Sequence, residues 1–353
     1  MRVALVGLPF CGKTTLFTAI SGLPRDHLKP VEENLASVKV PEPRLDWLEE
    51  IYTPKKRTEA TLDFLDLPAG GDGESEHAGL SRHLPILRQA DGLVLVLRAF
   101  ESDSVPTPPG GIDPHRDLKS LREEMLLADL LICDNRVEKI EKGAGKPTKD
   151  RDALKHELAL LKRCRETLEA ERPLRDVIQP GEEERMVRSF GFLTQKPVVV
   201  ALNIAESQIP NPPTVEDDHG AMVVPACAPI EADIIQMESA DRPEFMRGYG
   251  ILALARDRII RACYDALGLI SFLTAGEEEV RAWSIPANTS AVDAAGKIHT
   301  DLARGFIKAE TVAYADLRDA GSMREAKARG KVRLEPKHYV VQDGDVMLFK
   351  FNV

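Results

Sequence analysis

Residues Gly7-Leu8-Pro9-Phe10-Cys11-Gly12-Lys13-Thr14 fit the pattern GxxxxGK[ST], directly after the apolar run 3–6 and directly before the helical pattern 14–21. That context is what a phosphate-binding loop needs. A polyphosphate carries several negative charges, and successive backbone N–H groups at a helix N-terminus can cradle them where glycine lets the chain come close. The expected nucleotide-binding set is therefore Leu8, Pro9, Phe10, Cys11, Gly12, Lys13, Thr14 and Thr15. Lys13 is expected to bridge the β- and γ-phosphates and Thr14 to place its hydroxyl on Mg²⁺. Asp66, at the end of the apolar run 62–65, is expected to hold that ion through its outer coordination sphere. Lys13, Thr14 and Asp66 are thus the catalytic candidates, and Thr14 and Asp66 the metal candidates. Cys11 beside the helix N-terminus is open to two readings, a thiol whose oxidation blocks the site and an inert buried one.

A second constellation follows the run 198–202. GTPases place NKxD there, because an aspartate accepts both N1–H and N2–H of guanine. This chain has Asn203-Ile204-Ala205-Glu206, without the lysine and with a carboxylate one methylene longer. A site that misses a bidentate contact loses discrimination, whereas Asn203 can still pair with the N6/N7 edge of adenine. ATP is therefore expected over GTP.

These residues need a scaffold of buried strands and covering helices. The short apolar runs 3–6, 62–65, 93–97 and 198–202, interleaved with helical patterns such as 14–21 and 79–89, predict a parallel sheet wrapped by helices. The proline-rich stretch 105–114 breaks that alternation. Beyond it, Leu118, Leu121, Met125, Ala128 and Ile132, then Leu154, Leu158, Leu161 and Leu168, step by three and four residues about the glycine-containing turn 143–147. They predict an antiparallel helical hairpin over about 117–172, either simple helix-to-helix burial or an arm that touches a partner. From about Gly268, strand-like pieces at 280–285, 306–313, 331–334, 338–341 and 346–351 surround a helix candidate at 291–302. A small mixed sheet holding one helix is the expected assembly.

Composition sets the outer bounds. With 353 residues, 43% of them hydrophobic, the chain exceeds what one core usually organises. A net charge of −10 argues against a protein that coats nucleic acid over its whole surface, and no DNA partner is expected. One local excess stands out: Arg318, Arg324, Lys327, Arg329, Lys331, Arg333 and Lys337 face only Asp319, Glu325 and Glu335 between 318 and 338. It reads either as a solvated helix face or as a grip on ribosomal RNA phosphates. Five scattered cysteines without metal-ligand spacing read as reduced thiols. No signal peptide or membrane span is expected, which points to a soluble, cytoplasmic protein without a membrane partner.

The order of these motifs resembles the Obg-like ATPase (YchF) family of P-loop proteins. More specific strings carry the resemblance: Val40-Pro41-Glu42-Pro43-Arg44-Leu45-Asp46, Asp113-Pro114-His115-Arg116-Asp117, Ala128-Asp129-Leu130, and Val224-Pro225-Ala226-Cys227-Ala228 with Glu231. In the tail they are Phe272-Leu273-Thr274-Ala275-Gly276, Val280-Arg281-Ala282-Trp283, Ile298-His299-Thr300-Asp301, Arg304-Gly305-Phe306-Ile307 and Asp343-Gly344-Asp345-Val346-Met347. The resemblance implies an α/β fold: a P-loop G-domain with a parallel-rich sheet (1–115 and 181–267), an inserted α-helical hairpin (116–180) and a C-terminal β-grasp (TGS) domain (268–353). It also implies adenine-preferring hydrolysis, action on ribosomes, and Cys227 to Glu231 in a loop that completes the base pocket beside Asn203, Ile204 and Glu206, with Cys227 and Ala228 nearest.

The chain departs from the family pattern where the γ-phosphate is sensed. Phe10 stands where members tend to have an asparagine that helps bind a monovalent cation. The threonine expected on Mg²⁺ aligns near Pro30, and 16–52 offers only Thr18, Ser21 and Ser37 as hydroxyls. The DxxG turn reads Asp66-Leu67-Pro68-Ala69 with Gly70 one place late, and a histidine some members carry falls near Thr107. Binding is therefore expected to be intact and hydrolysis slow. A non-catalytic nucleotide-binding scaffold is the alternative; a small-molecule kinase is disfavoured because the downstream strings match the ATPases.

Overall fold

The computed structural model describes residues 1–68, 80–143 and 151–352. The strands among the described residues, in chain order, are β1 (Arg2–Val6), β2 (Asn34–Lys39), β3 (Lys56–Thr58), β4 (Thr61–Asp66), β5 (Gly92–Arg98), β6 (Val198–Asn203), β7 (Met222–Ala226), β8 (Leu269–Ala275), β9 (Glu279–Pro286), β10 (Phe306–Ala313), β11 (Arg333–Glu335) and β12 (Asp345–Phe351). The chain divides into two compact units, Met1–Ala36 with Asp63–Ile259 and Ser37–Leu62 with Ile260–Val353.

In the first unit the sheet runs β2-β4-β1-β5-β6-β7. The pairs β1–β4, β1–β5, β5–β6 and β6–β7 are all parallel. Every residue of β5 and β6 is buried, as expected of strands covered on both faces. The four apolar runs expected as strands are β1, β4, β5 and β6. The expected helix over 79–89 begins outside the described residues and is a short turn, Ser81–His83, followed by the helix Leu84–Gln89.

The inserted hairpin is built from the helices Pro114–Gly143 and Arg151–Glu169; its expected turn at 143–147 lies largely outside the described residues. Leu118, Leu121 and Met125 pack into the core of the sheet, while Cys133, Val137, Leu161 and Cys164 form a second core farther along the hairpin. Simple helix-to-helix burial thus accounts for the apolar spacing. Asp129 sits where the two cores meet, fully buried. Its carboxylate accepts Leu193 N (3.0 Å), Thr194 N (2.8 Å) and Thr194 Oγ1 (2.8 Å), with the Arg88 guanidinium at 3.4 Å. Burial pushes its pKa up, and the amides that bond it oppose that rise.

In the second unit the sheet order is β11-β10-β12-β8-β9-β3. β8–β9 and β10–β12 are antiparallel, β12 and β8 are parallel, and β3 adds to β9 in parallel. The helix Ala291–Ile298 lies on this sheet through Ala291, Ala294 and Ala295, against Phe272, Met347 and Phe349. This sheet-and-helix layout is the β-grasp arrangement. The single helix expected over 291–302 is instead two, Ala291–Ile298 and Thr300–Arg304, because His299 takes an extended conformation. The strand expected at 338–341 is reduced to one bridge between Ser290 and Val340. The segment 37–62 belongs to this unit. Arg44 joins Glu42 (2.5 Å) to Asp343 (2.7 Å), and Trp47 meets the Tyr314 ring edge-on at 5.8 Å.

Among the described residues no helix is long and apolar enough to cross a membrane. All five cysteines are buried free thiols.

Truncating Asp129 would leave two backbone amides and a hydroxyl buried without their acceptor, a class of change that costs about 3 kcal/mol or more. Asp129→Ala is expected to lower the urea midpoint of the first unit accordingly, with the β-grasp unit serving as internal control. An unchanged midpoint contradicts this account of the hairpin's attachment.

Candidate functional site

β1 ends at Val6 and the chain turns at once into the loop 7–14. The turn closes through Cys11 N donating to Leu8 O at 3.3 Å, and the helix Lys13–Ser21 starts with Leu16 N donating to Gly12 O at 2.9 Å. Gly12 is left-handed, with φ of 85°, and a Cβ there would sit 2.1 Å from Asn203 Nδ2. At Gly7 a Cβ would sit 2.5 Å from Cys11 Sγ and 2.6 Å from Val96 O. Both positions are thus closed to any side chain. No side chain of the N-cap residue caps the helix Lys13–Ser21; the Lys13 amide meets the Cys11 sulfur, and the first-turn amides of Thr14 and Thr15 have no intrahelical partner. Amides of that kind, at the positive end of a helix, suit an anion.

Lys13 Nζ donates to Leu67 O at 2.6 Å. Asp66, the last residue of β4, is buried, and its Oδ1 has no hydrogen-bond partner among the described residues. Burial pushes its pKa up, while the Lys13 charge, the Thr14 hydroxyl and Asn34 pull it down. An orphaned carboxylate oxygen beside a threonine hydroxyl is a hard-oxygen donor set, and Mg²⁺ fits it. Such an ion typically takes one or two protein ligands and completes its shell with phosphate oxygens and water. No cluster of three or more histidine, cysteine or acidic side chains suited to a metal occurs among the described residues.

Asn203 is buried at the end of β6. Its Nδ2 donates to Cys11 O at 3.0 Å and its Oδ1 accepts Ala228 N at 3.2 Å. The carboxamide thus braces the phosphate loop against the turn after β7, and these two bonds leave one Nδ2–H and one Oδ1 lone pair uncommitted among the described residues. Ile204 is buried next to it, Glu206 is exposed on the turn Glu206–Gln208, and Cys227 and Ala228 begin the helix Ala228–Gln236. Glu231 does not join them. Its carboxylate accepts Ala255 N (2.6 Å) and Arg256 N (2.8 Å), capping the helix Ala255–Ala266.

Burial raises the Cys11 thiol to about 11, overriding the nearby Lys13 charge. Its burial favours the inert reading. Phe10 has φ of 62° and is 58% exposed. Thr18 and Ser21 are committed locally, Thr18 Oγ1 to Thr14 O and Ser21 Oγ to Leu23 N. Ala69 and Gly70, where the DxxG turn was expected, lie outside the described residues.

Sequence reasoning missed Arg98 and Phe100. Arg98 is buried and donates to Phe100 O (3.1 Å), Val105 O (3.3 Å) and Pro106 O (2.7 Å), with its guanidinium 4.6 Å from the Phe100 ring centre. That clamp shapes the proline-rich loop and sets the Phe100 ring beside Gly12. The available signal was an arginine closing an otherwise apolar strand.

Comparison with known proteins agrees with this geometry. Residues 269–352 match the family model YchF-GTPase_C, described as a protein of unknown function (DUF933). The chain is 38% identical to "Ribosome-binding ATPase YchF" of Bacillus subtilis (strain 168) over all of both proteins. It is 34% identical to "Obg-like ATPase 1" of Oryza sativa subsp. japonica, over all of this chain and 92% of that protein. Among solved structures, the "YchF GTPase" of Schizosaccharomyces pombe superposes with a TM-score of 0.84 at 29% identity, covering 99% of this chain and 97% of that one. With its P-loop site and full-length likeness to these proteins, the chain belongs to the YchF family of Obg-like, P-loop nucleotide-binding ATPases.

Proposed function

We propose that the chain is a cytoplasmic, Mg²⁺-dependent nucleoside triphosphatase that prefers ATP to GTP, hydrolyses it slowly and acts as a regulatory switch on ribosomes. The observation that carries this reading is the phosphate loop itself: uncapped amides at Thr14 and Thr15, a glycine pinned by Asn203, and Asp66 Oδ1 without a hydrogen-bond partner among the described residues. In this proposal residues 8–15 wrap the phosphates. Lys13 leaves Leu67 O for the β- and γ-phosphates, and Thr14 with Asp66 holds the ion. When bound, Mg²⁺ supplies charge neutralisation on the transferred phosphoryl group.

The preference for ATP rests on the carboxylate after β6. Glu206 is exposed on a short turn and has no lysine companion, so the paired guanine contact lacks its acceptor. Asn203, which also braces the loop, and Ile204, Glu206, Cys227 and Ala228 are the residues we assign to the base pocket. Slow turnover is supported by Thr18 and Ser21, whose hydroxyls meet local backbone, Thr18 Oγ1 donating to Thr14 O and Ser21 Oγ accepting Leu23 N just past the helix. A non-catalytic scaffold remains the second reading on the same ground.

The ribosome is the partner proposed because the bacterial relatives are ribosome-binding ATPases by name. We assign the nucleotide-binding work to 1–115 with 181–267, the hairpin to 116–180 and the TGS role to 268–353. Within the basic stretch, Lys327, Arg329, Lys331 and Arg333 form ion pairs with Glu310, Glu325, Asp316 and Glu335. Arg318, Arg324 and Lys337 are exposed and make no ion pair among the described residues. These three are the ones left to meet RNA phosphates.

Titration with non-hydrolysable ATP and GTP analogues in Mg²⁺ is expected to show tighter binding of the ATP analogue, and Lys13→Ala is expected to weaken it by about 100-fold, or roughly 2.7 kcal/mol. A GTP analogue binding ten times more tightly overturns the base assignment, and no uptake of either analogue overturns the grip. Co-sedimentation with ribosomes is expected to fall as salt rises, and to fall further when Arg318, Arg324 and Lys337 are changed together to glutamate. Salt-insensitive sedimentation rules out the electrostatic contact.

A further inference from the structure

The family pattern leaves this chain without a group to orient the attacking water, yet the site contains one from an unexpected place. Three consecutive residues at the end of β4 each bring an oxygen to the site. Asp66 carries the orphaned oxygen, Leu67 O accepts Lys13 Nζ at 2.6 Å, and Pro68 O lies 3.2 Å from Nε2 of His83. Consecutive Cα atoms are about 3.8 Å apart, so the imidazole is held one residue along from the carbonyl that holds Lys13 before nucleotide enters, near enough for the lysine charge to act on it.

His83 lines a cavity of about 390 Å³ together with Val31, Glu32, Glu33, Pro68 and Ile86. A carbonyl only accepts, so Nε2 carries the hydrogen in the Pro68 contact and Nδ1 is the acceptor nitrogen of the neutral ring. Nδ1 makes no hydrogen bond among the described residues. Burial and the Lys13 charge hold the imidazole below its ordinary pKa, Arg82 adds to that, and Pro68 O and Glu33 oppose it. The ring is therefore neutral at physiological pH and able to accept.

We propose that His83 is the water-positioning catalytic residue of this chain, held by Pro68 O so that Nδ1 accepts a hydrogen bond from the water that attacks the γ-phosphorus. The inference rests on the ATP hydrolysis proposed above. In the step, the water oxygen forms a bond to the γ-phosphorus. The bond from that phosphorus to the β–γ bridging oxygen breaks, and its electron pair stays on ADP. The proton released by the water passes by way of Nδ1 or directly to the inorganic phosphate. The short turn Ser81–His83, continuing into the helix Leu84–Gln89, fixes the ring in this place.

The test measures phosphate release and ATP-analogue binding on the full chain. His83→Ala is expected to lower kcat about 100-fold with analogue affinity within about twofold of wild type. His83→Gln, which keeps a donor and an acceptor, is expected to retain more of the rate, and free imidazole to restore part of it to His83→Ala. Wild-type kcat in His83→Ala, or a loss that neither imidazole nor glutamine relieves, overturns the assignment. So does a wild type that binds ATP and releases no phosphate. Failure of the wild type to bind any analogue sinks the proposed function and this inference with it, whereas the other results strike the inference alone.

Discussion

The carboxamide of Asn203 is the contact on which the site depends. It takes the carbonyl of Cys11 with one end and the amide of Ala228 with the other, so three connections that are far apart in the chain share one side chain. A buried amide with both ends satisfied is worth keeping, and one left unsatisfied costs a large part of a domain's stability. The same contact explains why the loop is built from glycine at residue 12. Nδ2 lies 2.1 Å from where a Cβ would be, so the brace and a side chain cannot coexist. Because Gly12 turns left-handed, the amides that follow it point out of the helix start toward the space a phosphate would fill.

Around that brace the first unit is organised by what each end of its strands must hold. β1, β4 and β6 all finish on site residues, the loop at Gly7, Asp66 and Asn203, while their apolar middles disappear into the sheet. This is the usual consequence of a parallel sheet, whose strand ends converge on one edge. The hairpin is secured away from that edge by Asp129, a buried charge stabilised by amides instead of by a counter-ion in close contact. One string that resembled the family, Ala128-Asp129-Leu130, thereby acquires a structural reason.

Where burial is uniform the sequence is easy to read. β5 and β6 are apolar up to their last residues, Arg98 and Asn203, and are plain in the sequence, as is the hairpin's three-and-four spacing. β2 is another matter: its inward positions include Asn34 while Leu35 is 52% exposed, so the alternation that marks a strand is blurred. The helices Tyr314–Ala320 and Met323–Ala328 bury only Leu317 and Ala326, one residue each, too few to show a period inside a run of charge. Lys13 and Thr14 were legible because a motif fixes their chemistry. The task of Asn203 was not, since its partners are backbone atoms 192 and 25 residues away. Glu231 shows the converse. Its place in a family string suggested the base pocket, and only its bonds to Ala255 and Arg256 reveal a cap.

Phe10 brings the physical argument to its sharpest point. A left-handed backbone costs an ordinary residue about 1–2 kcal/mol, and an asparagine offsets part of that through its short polar side chain. Phe10 has no such relief at φ of 62°, and its ring gains little from packing because it is 58% exposed. The strain persists because its neighbours over-determine the loop: Cys11 is packed against Gly7 and its carbonyl is held by Asn203. The geometry of the loop is thus enforced from outside residue 10, and the identity of residue 10 is released from maintaining it. Residue 10 is therefore open to change without the loop losing the shape that Gly7, Gly12 and Asn203 impose.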